Sequence, residues 1–222
     1  MVAREAPDRE TGAHRAASRR ADLVLAPSMS HDRGMGTASR WELVSEADYV
    51  DAERSASVKH EYVEGIVYAM AGGSVAHNLI ASNVLVALGS ALRGKPCCAF
   101  NSDMRVRVRL PEGTRYYYPD AMVVCRSNPA DDAYQDEPAV LVEVLGDATR
   151  RIDEDEKRRA YFAIPSLTTL VHLEQDARVA VVYARGPGGF TRSVVEASGR
   201  IALPSIDVEL ELEALYDGLD AL

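Results

Sequence analysis

The stretch from Tyr118 to Lys157 decides how this chain is read. It opens with Tyr118-Pro119-Asp120-Ala121-Met122-Val123-Val124 and crosses a polar loop. It continues as Pro138-Ala139-Val140-Leu141-Val142-Glu143-Val144-Leu145 and ends in a charged segment that contains Lys157. Both apolar runs are strands by composition. Each carries a carboxylate, Asp120 at the start of the first and Glu143 inside the second. Taking an unpaired carboxylate out of water costs several kcal/mol or more, so Glu143 needs a cationic partner or a metal ion. Lys157 sits about one turn into the helix that follows. A helix folding back on its strand can bring a lysine tip to the strand's carboxylate. Two readings fit this spacing equally. One is a divalent-metal site, for which phosphodiester cleavage is a leading use. The other is a structural ion-pair network of Asp120, Glu143 and Lys157.

Around this stretch the gross numbers are ordinary. A chain of 222 residues with 47% hydrophobic and 27% charged residues suits one mixed domain. No apolar run approaches the ~20 residues that span a bilayer, and the charged N-terminus has no signal-peptide core. Three cysteines, Cys97 and Cys98 adjacent, match neither a disulfide framework nor a zinc spacing. They point to a reducing cytoplasm, with Cys97-Cys98 packed in a strand. The net charge of −9 argues against a broad basic surface for nonspecific nucleic-acid binding, though not against a local stripe.

Residues 1–40 are rich in Ala, Arg, Ser and Asp without a sustained period, and are expected to be a disordered tail. Met29 and Met35 are alternative initiators. A single domain over 41–222 is expected, with order beginning near Trp41. Ser45-Glu46-Ala47-Asp48 has the form of a capping box. Glu61 to Met70 reads as a hairpin turning at Glu64-Gly65. Apolar positions predict a helix from Val75 to about Leu92. Met104 to Leu110 alternates strictly, one face buried and the other carrying Arg105, Arg107 and Arg109. Tyr116 to Cys125 reads as a strand whose regular part Pro119 starts near Asp120, 128–138 as an acidic loop, and Asp153 to Ala163 as a helix. Thr168–Leu173 and Arg178–Tyr183 form a second hairpin. Further strands are expected near 190–196 and 208–212, then a short terminal helix.

Several residues carry two readings each. His77, opening the long helix, is a phosphate or metal contact or a capping histidine. Arg105, Arg107 and Arg109 grip a phosphate backbone or form a solvated strand face. Tyr116 and Tyr117 stack on bases or serve strand propensity. Asp153-Glu154-Asp155-Glu156 suits a helix N-terminus through the macrodipole, with the wrong spacing for a calcium loop.

The ordered series of pieces resembles the Uma-two family of restriction endonucleases, within the PD-(D/E)XK nuclease superfamily. Besides the two quoted runs it includes Thr149, Asp153, Lys157, Tyr161 and Pro165-Ser166-Leu167. Upstream it includes His60-Glu61-Tyr62-Val63-Glu64-Gly65 and His77-Asn78. The similarity spans roughly 43–215. It implies an α/β restriction-endonuclease-like core, a central mixed sheet flanked by helices, here with added hairpins. It implies Asp120 and Glu143 as ligands to Mg²⁺, with Mn²⁺ as a substitute, Lys157 as the catalytic lysine, and Glu61 as a further acidic residue of the site. DNA is the implied substrate and a homodimer the expected assembly. Two departures matter. Leu145 stands where the superfamily usually has its lysine, so that role moves to Lys157. Gly146-Asp147 stands where the family usually has Ser-Pro or Ser-Asp. The alternative function is a catalytically silent nuclease-fold protein that binds nucleic acid or a protein partner.

Overall fold

Ser45 caps the first helix as its box form predicts: the hydroxyl accepts a hydrogen bond from Asp48 N at 3.1 Å, and α1 runs Glu46–Glu53. The computed structural model describes residues 43–70, 72–146 and 150–222. The expected tail, Trp41, Asp147 and Thr149 lie outside the described residues. Glu64 and Gly65 have φ of 52° and 96°. Left-handed angles at both central residues suit a two-residue hairpin turn. It joins β1 (His60–Val63) to β2 (Ile66–Ala69). Ser74 then caps α2 (Val75–Ala91) by accepting from His77 N, and Ile80, Val84 and Leu88 form the helix's buried stripe.

Strands follow as β3 (Cys98–Asn101), β4 (Arg105–Leu110), β5 (Gly113–Tyr117), β6 (Ala121–Val124), the two-residue β7 (Tyr134–Gln135) and β8 (Pro138–Leu145). A π-helical segment, Ile152–Lys157, runs directly into α3 (Arg158–Phe162). The chain closes with β9 (Thr169–Glu174), β10 (Val179–Gly186), β11 (Gly189–Glu196), β12 (Arg200–Leu203), β13 (Val208–Glu211) and α4 (Leu212–Leu215).

The larger sheet has the order β11-β10-β9-β8-β6-β3 and the second β2-β1-β5-β4-β7, while β12 and β13 pair separately. In the larger sheet β8 and β9 are parallel and the other pairings antiparallel, so it is mixed. The parallel pair needs a crossover, which the π segment and α3 supply. Successive strand residues face opposite ways. Val140, Val142 and Val144 of β8 therefore join α2's Ile80, Val84 and Leu88 in one core. Leu141 joins Tyr161, Ile164 and Leu167 in the other. This is the mixed α/β architecture expected, with helices on both faces of its main sheet. It is divided between two main sheets rather than gathered into one.

Three expectations are corrected. The single strand expected from Tyr116 to Cys125 is two strands in two sheets, β5 and β6. Pro119 lacks an N–H and restricts Tyr118, so the ladder breaks there and the chain changes sheet at Asp120. The arginine face of β4 is not uniformly solvated. Arg105 is only 2% exposed. Its guanidinium lies 5.2 Å from the Tyr49 ring and 5.4 Å from that of Tyr116, and Nε donates to Ala133 O at 3.2 Å. Arg107 donates twice to Asp136, both at 2.7 Å, leaving Arg109 as the exposed one of the three. Finally, Cys97 and Cys125 form a disulfide, and Cys98 is the exposed free thiol. The β3–β6 register sets Cys98 opposite Val124, which places their neighbours together. Linear spacing does not contain that information.

The Arg105 cage gives a first prediction. Arg105→Ala removes a buried cation from the rings of Tyr49, Tyr116 and Tyr118 and opens a void. It is expected to lower unfolding stability by about 2–4 kcal/mol in urea titration. A change below about 0.5 kcal/mol would show that the cage does not hold the fold.

Candidate active site

The break between the sheets, the middle of β8, the β1 strand and the π segment converge on one cluster of charges. Glu143 points from β8 toward α3, on the Leu141 face. It is 3% exposed, and Tyr161 donates its hydroxyl to Oε1 at 2.7 Å. Lys157, at the end of the π segment, reaches three carboxylates. Its Nζ is 2.8 Å from Glu61 Oε1, 3.2 Å from Asp153 Oδ1 and 3.6 Å from Glu143 Oε1. Tyr118 N donates to Glu61 Oε1 at 3.4 Å, tying β1 to the sheet break. Asp120 Oδ2 accepts from Val144 N at 2.7 Å and from His77 Nε2 at 3.2 Å. The β6–β8 register, Ala121 opposite Val142, makes this contact possible.

The electrostatics follow from burial and crowding. Burial pushes the Glu143 carboxyl well above its ordinary range; Lys157 pulls it back, while Asp153 and Asp120 push it further. Burial opposes the charge on Lys157, yet Glu143, Glu61 and Asp153 together hold its ammonium well above the ordinary value. Lys157 is thus a fixed positive charge rather than a proton acceptor. The hydrogen bond to Asp120 raises His77, against the effect of burial. Burial, then Glu143, raises the Tyr161 phenol, which stays a donor.

Four carboxylates therefore face one ammonium and one imidazole. This negative surplus in a poorly solvated site is what a divalent cation would neutralise. The donors on offer are mainly carboxylate oxygens, which suits a hard cation of the magnesium class, and such an ion needs only one or two carboxylates beside its waters. The residues fit a divalent cation on these grounds. Among the described residues, no three His, Cys, Asp or Glu side chains already converge as a closed metal cage.

The structure brings Asp120, Glu143, Lys157, Glu61 and His77 into this one cluster. Arg105, Arg107 and Arg109 lie outside it on β4, in the second sheet. Asp153 and Tyr161 are members that sequence reasoning did not assign to the site. The available signal was their spacing, four residues to either side of Lys157.

His172 lies behind the cluster, opposite Glu143 in the β8–β9 register, 1% exposed and with no partner on Nε2. Burial, then the nearby Arg158, brings its pKa down to about 4. The unfolded chain binds this proton at about 6.5, so the unfolded state holds more protons between those values. The His172 contribution is present above pH 6.5 and is lost as pH falls toward 4. Urea unfolding at pH 7 and pH 4.5 should show His172→Leu losing about 2–3 kcal/mol less than wild type over that interval. Equal losses would mean that His172 is not held neutral.

The profile of a family described as "Uma2: Putative restriction endonuclease" matches residues 46–215. Two uncharacterized proteins of Synechocystis sp. are similar to this chain. One is 29% identical over 180 residues, covering 79% of this chain and 93% of the relative. The other is 28% identical over 137 residues, covering 60% and 76%. Among solved structures, a putative nuclease belonging to DUF820 from Anabaena variabilis matches with a TM-score of 0.59. It is 14% identical, and the match covers 75% of this chain and 96% of that one. At that identity the likeness bears on the fold alone. Among the described residues no helix is long and apolar enough to cross a membrane. With the profile match covering the sheet break, β8, the π segment and α3, this chain belongs to the Uma2 family of putative restriction endonucleases.

Proposed function

We propose that this protein is a metal-dependent endonuclease that hydrolyses DNA phosphodiester bonds, with Mg²⁺ as its cation and Mn²⁺ as a substitute. The observation that carries the reading is that Asp120, just before β6, and Glu143, on the neighbouring β8, share one buried cluster with Lys157, whose ammonium lies 3.6 Å from Glu143. Asp120 and Glu143 would hold the cation. When bound, the cation supplies charge neutralisation at the phosphate and a more acidic water. The chain's own residues do the rest. Lys157 presents positive charge where the phosphate gains negative charge, without desolvating at the moment of reaction. Glu61 holds the Lys157 ammonium at 2.8 Å. His77 secures Asp120 from the N-terminal turn of α2, where an anionic phosphate is also favoured. Arg109, exposed on β4, is available to the DNA backbone, whereas Arg105 and Arg107 act through the second sheet. A homodimer would present one such site to each strand of a duplex.

The test is incubation of supercoiled plasmid and of single-stranded DNA with Mg²⁺ or Mn²⁺. Nicked or linear product is expected with either metal and none with EDTA. Intact DNA under every metal condition would overturn the reading. Two observations favour a second: no closed cage exists among the described residues, and Gly146 stands where the resemblance leads one to expect a serine. That reading is a silent nuclease fold that binds nucleic acid or a protein. Calorimetric titration with Mn²⁺ separates the two, since the silent fold gives no binding that depends on Asp120.

A further inference from the structure

Asp153, Lys157 and Tyr161 are spaced by four residues across the junction between the π segment and α3. All three are buried, at 3%, 5% and 0% exposure. In a continuous α-helix, residues four apart drift about 40° around the axis, so eight residues would drift about 80°. A π turn closes a wider ring and turns less per residue, so its drift over four residues runs the other way. The π half and the α half therefore largely cancel, and the three side chains line one stripe facing β8. The intervening residues show the same phase: Glu154 is partly exposed, Asp155 exposed, and Glu156 takes the Tyr117 hydroxyl at 2.9 Å.

The contacts along the stripe run in sequence. Asp153 Oδ1 faces Lys157 Nζ at 3.2 Å, Lys157 Nζ faces Glu143 Oε1 at 3.6 Å, and Tyr161 donates to that same Glu143 Oε1 at 2.7 Å. Lys157 is flexible by nature, with four rotatable carbons and three donors. Glu61 alone could draw it toward β1. Asp153 opposes that pull from its own helix, and Tyr161 fixes the oxygen that Lys157 addresses.

We propose that Asp153 and Tyr161 are positioning residues, aligned by the π turn, that hold the Lys157 ammonium and the Glu143 carboxylate in working register. This deepens the nuclease reading and rests on it. Asp153 acts through Lys157 and is not itself a ligand of the cation. Tyr161 acts through Glu143, setting which oxygen is free to turn toward the cation.

The test uses the full chain and three variants, Asp153→Asn, Tyr161→Phe and deletion of Asp155. The deletion shortens the π turn to an α turn at an exposed position, brings Asp153 to three residues from Lys157 and rotates it by roughly 40° relative to the lysine. The first readout is the ¹⁵Nζ resonance of Lys157, which needs no cleavage. It is expected as a protected ammonium signal in wild type, and shifted or lost in Asp153→Asn and in the deletion. The second is Mn²⁺ titration by calorimetry. Affinity is expected within about threefold of wild type for Asp153→Asn, and roughly tenfold weaker for Tyr161→Phe. The third is steady-state cleavage, where kcat should fall on the order of 10–100-fold in Asp153→Asn with KM little changed.

A more than tenfold loss of Mn²⁺ affinity in Asp153→Asn would make Asp153 a ligand and overturn the assignment. So would an unchanged Lys157 resonance in both Asp153→Asn and the deletion. Unchanged Mn²⁺ affinity in Tyr161→Phe would overturn the role given to Tyr161. Should wild type bind Mn²⁺ but cut nothing, the nuclease reading falls, and the resonance still decides the positioning claim. Should the deletion fail to fold, the two point variants decide it.

Discussion

Lys157→Met is expected to destabilise the protein by about 3–5 kcal/mol and to lower DNA cleavage by at least about 10²-fold. The variant keeps most of the side chain's apolar length and removes the charge with its three donors. Glu61, Glu143 and Asp153 are then left without the ammonium they share, in a site where the lysine side chain is itself buried. Breaking a buried pair costs more than the pair was worth, because the stranded charges remain. For a domain of this size the loss corresponds to a fall in Tm of about 10 °C. The defect has a pH signature. Unpaired buried carboxylates hold protons more tightly in the folded state than in the unfolded one. The variant should therefore be least impaired near pH 5 and lose stability as pH rises. Millimolar Mg²⁺ should recover part of the loss, because a cation that binds only the folded state stabilises it by mass action. Thermal unfolding at pH 5 and pH 8, with and without Mg²⁺, checks all three statements. A Tm within 2 °C of wild type at pH 8 would show that the lysine is not the electrostatic centre of the cluster.

Asp120→Asn is expected to abolish cleavage, by on the order of 10³-fold or more, with a modest effect on stability. The amide keeps an oxygen that can accept from Val144 N, so the contact between the sheet break and β8 survives. What is lost is a negative charge, and with it one of the two carboxylates assigned to the cation. His77 loses the anionic partner that raises its pKa. Cleavage assays on plasmid, together with Mn²⁺ titration, separate the two ways of failing. Loss of cutting with loss of Mn²⁺ binding supports the metal role. Cutting that persists at more than a tenth of the wild-type rate would remove Asp120 from the chemistry. The purely structural ion-pair network makes the opposite prediction for Glu143: Glu143→Gln should lose stability with no dependence on added metal.

Particular residues show how far the sequence could be read. The turn at Glu64-Gly65, the cap at Ser45 and the helix opening at Val75 are local signals, and they resolved as expected. So did the carboxylate inside β8, because a charge in an apolar run must find a partner wherever the run is placed. Two things were not legible. The first is which sheet a strand joins. Pro119 was visible, but the change of sheet at Asp120 depends on tertiary pairing of β5 with β1 and β4, and of β6 with β3 and β8. The Cys97–Cys125 disulfide and the burial of Arg105 follow from the same long-range arrangement. The second is helix phase. A 3.6-residue period does not announce a π turn, and Asp153 read as one of four acids that favour a helix start, with its spacing of four to Lys157 left unused.

The most direct test of the central claim is an anomalous-difference map from crystals of the wild-type protein equilibrated with Mn²⁺. A peak is expected within coordination distance, about 2.0–2.3 Å, of carboxylate oxygens of both Asp120 and Glu143, with Lys157 beside it and not displaced. A map with no peak at these residues at saturating Mn²⁺, or with its peak elsewhere, would contradict it.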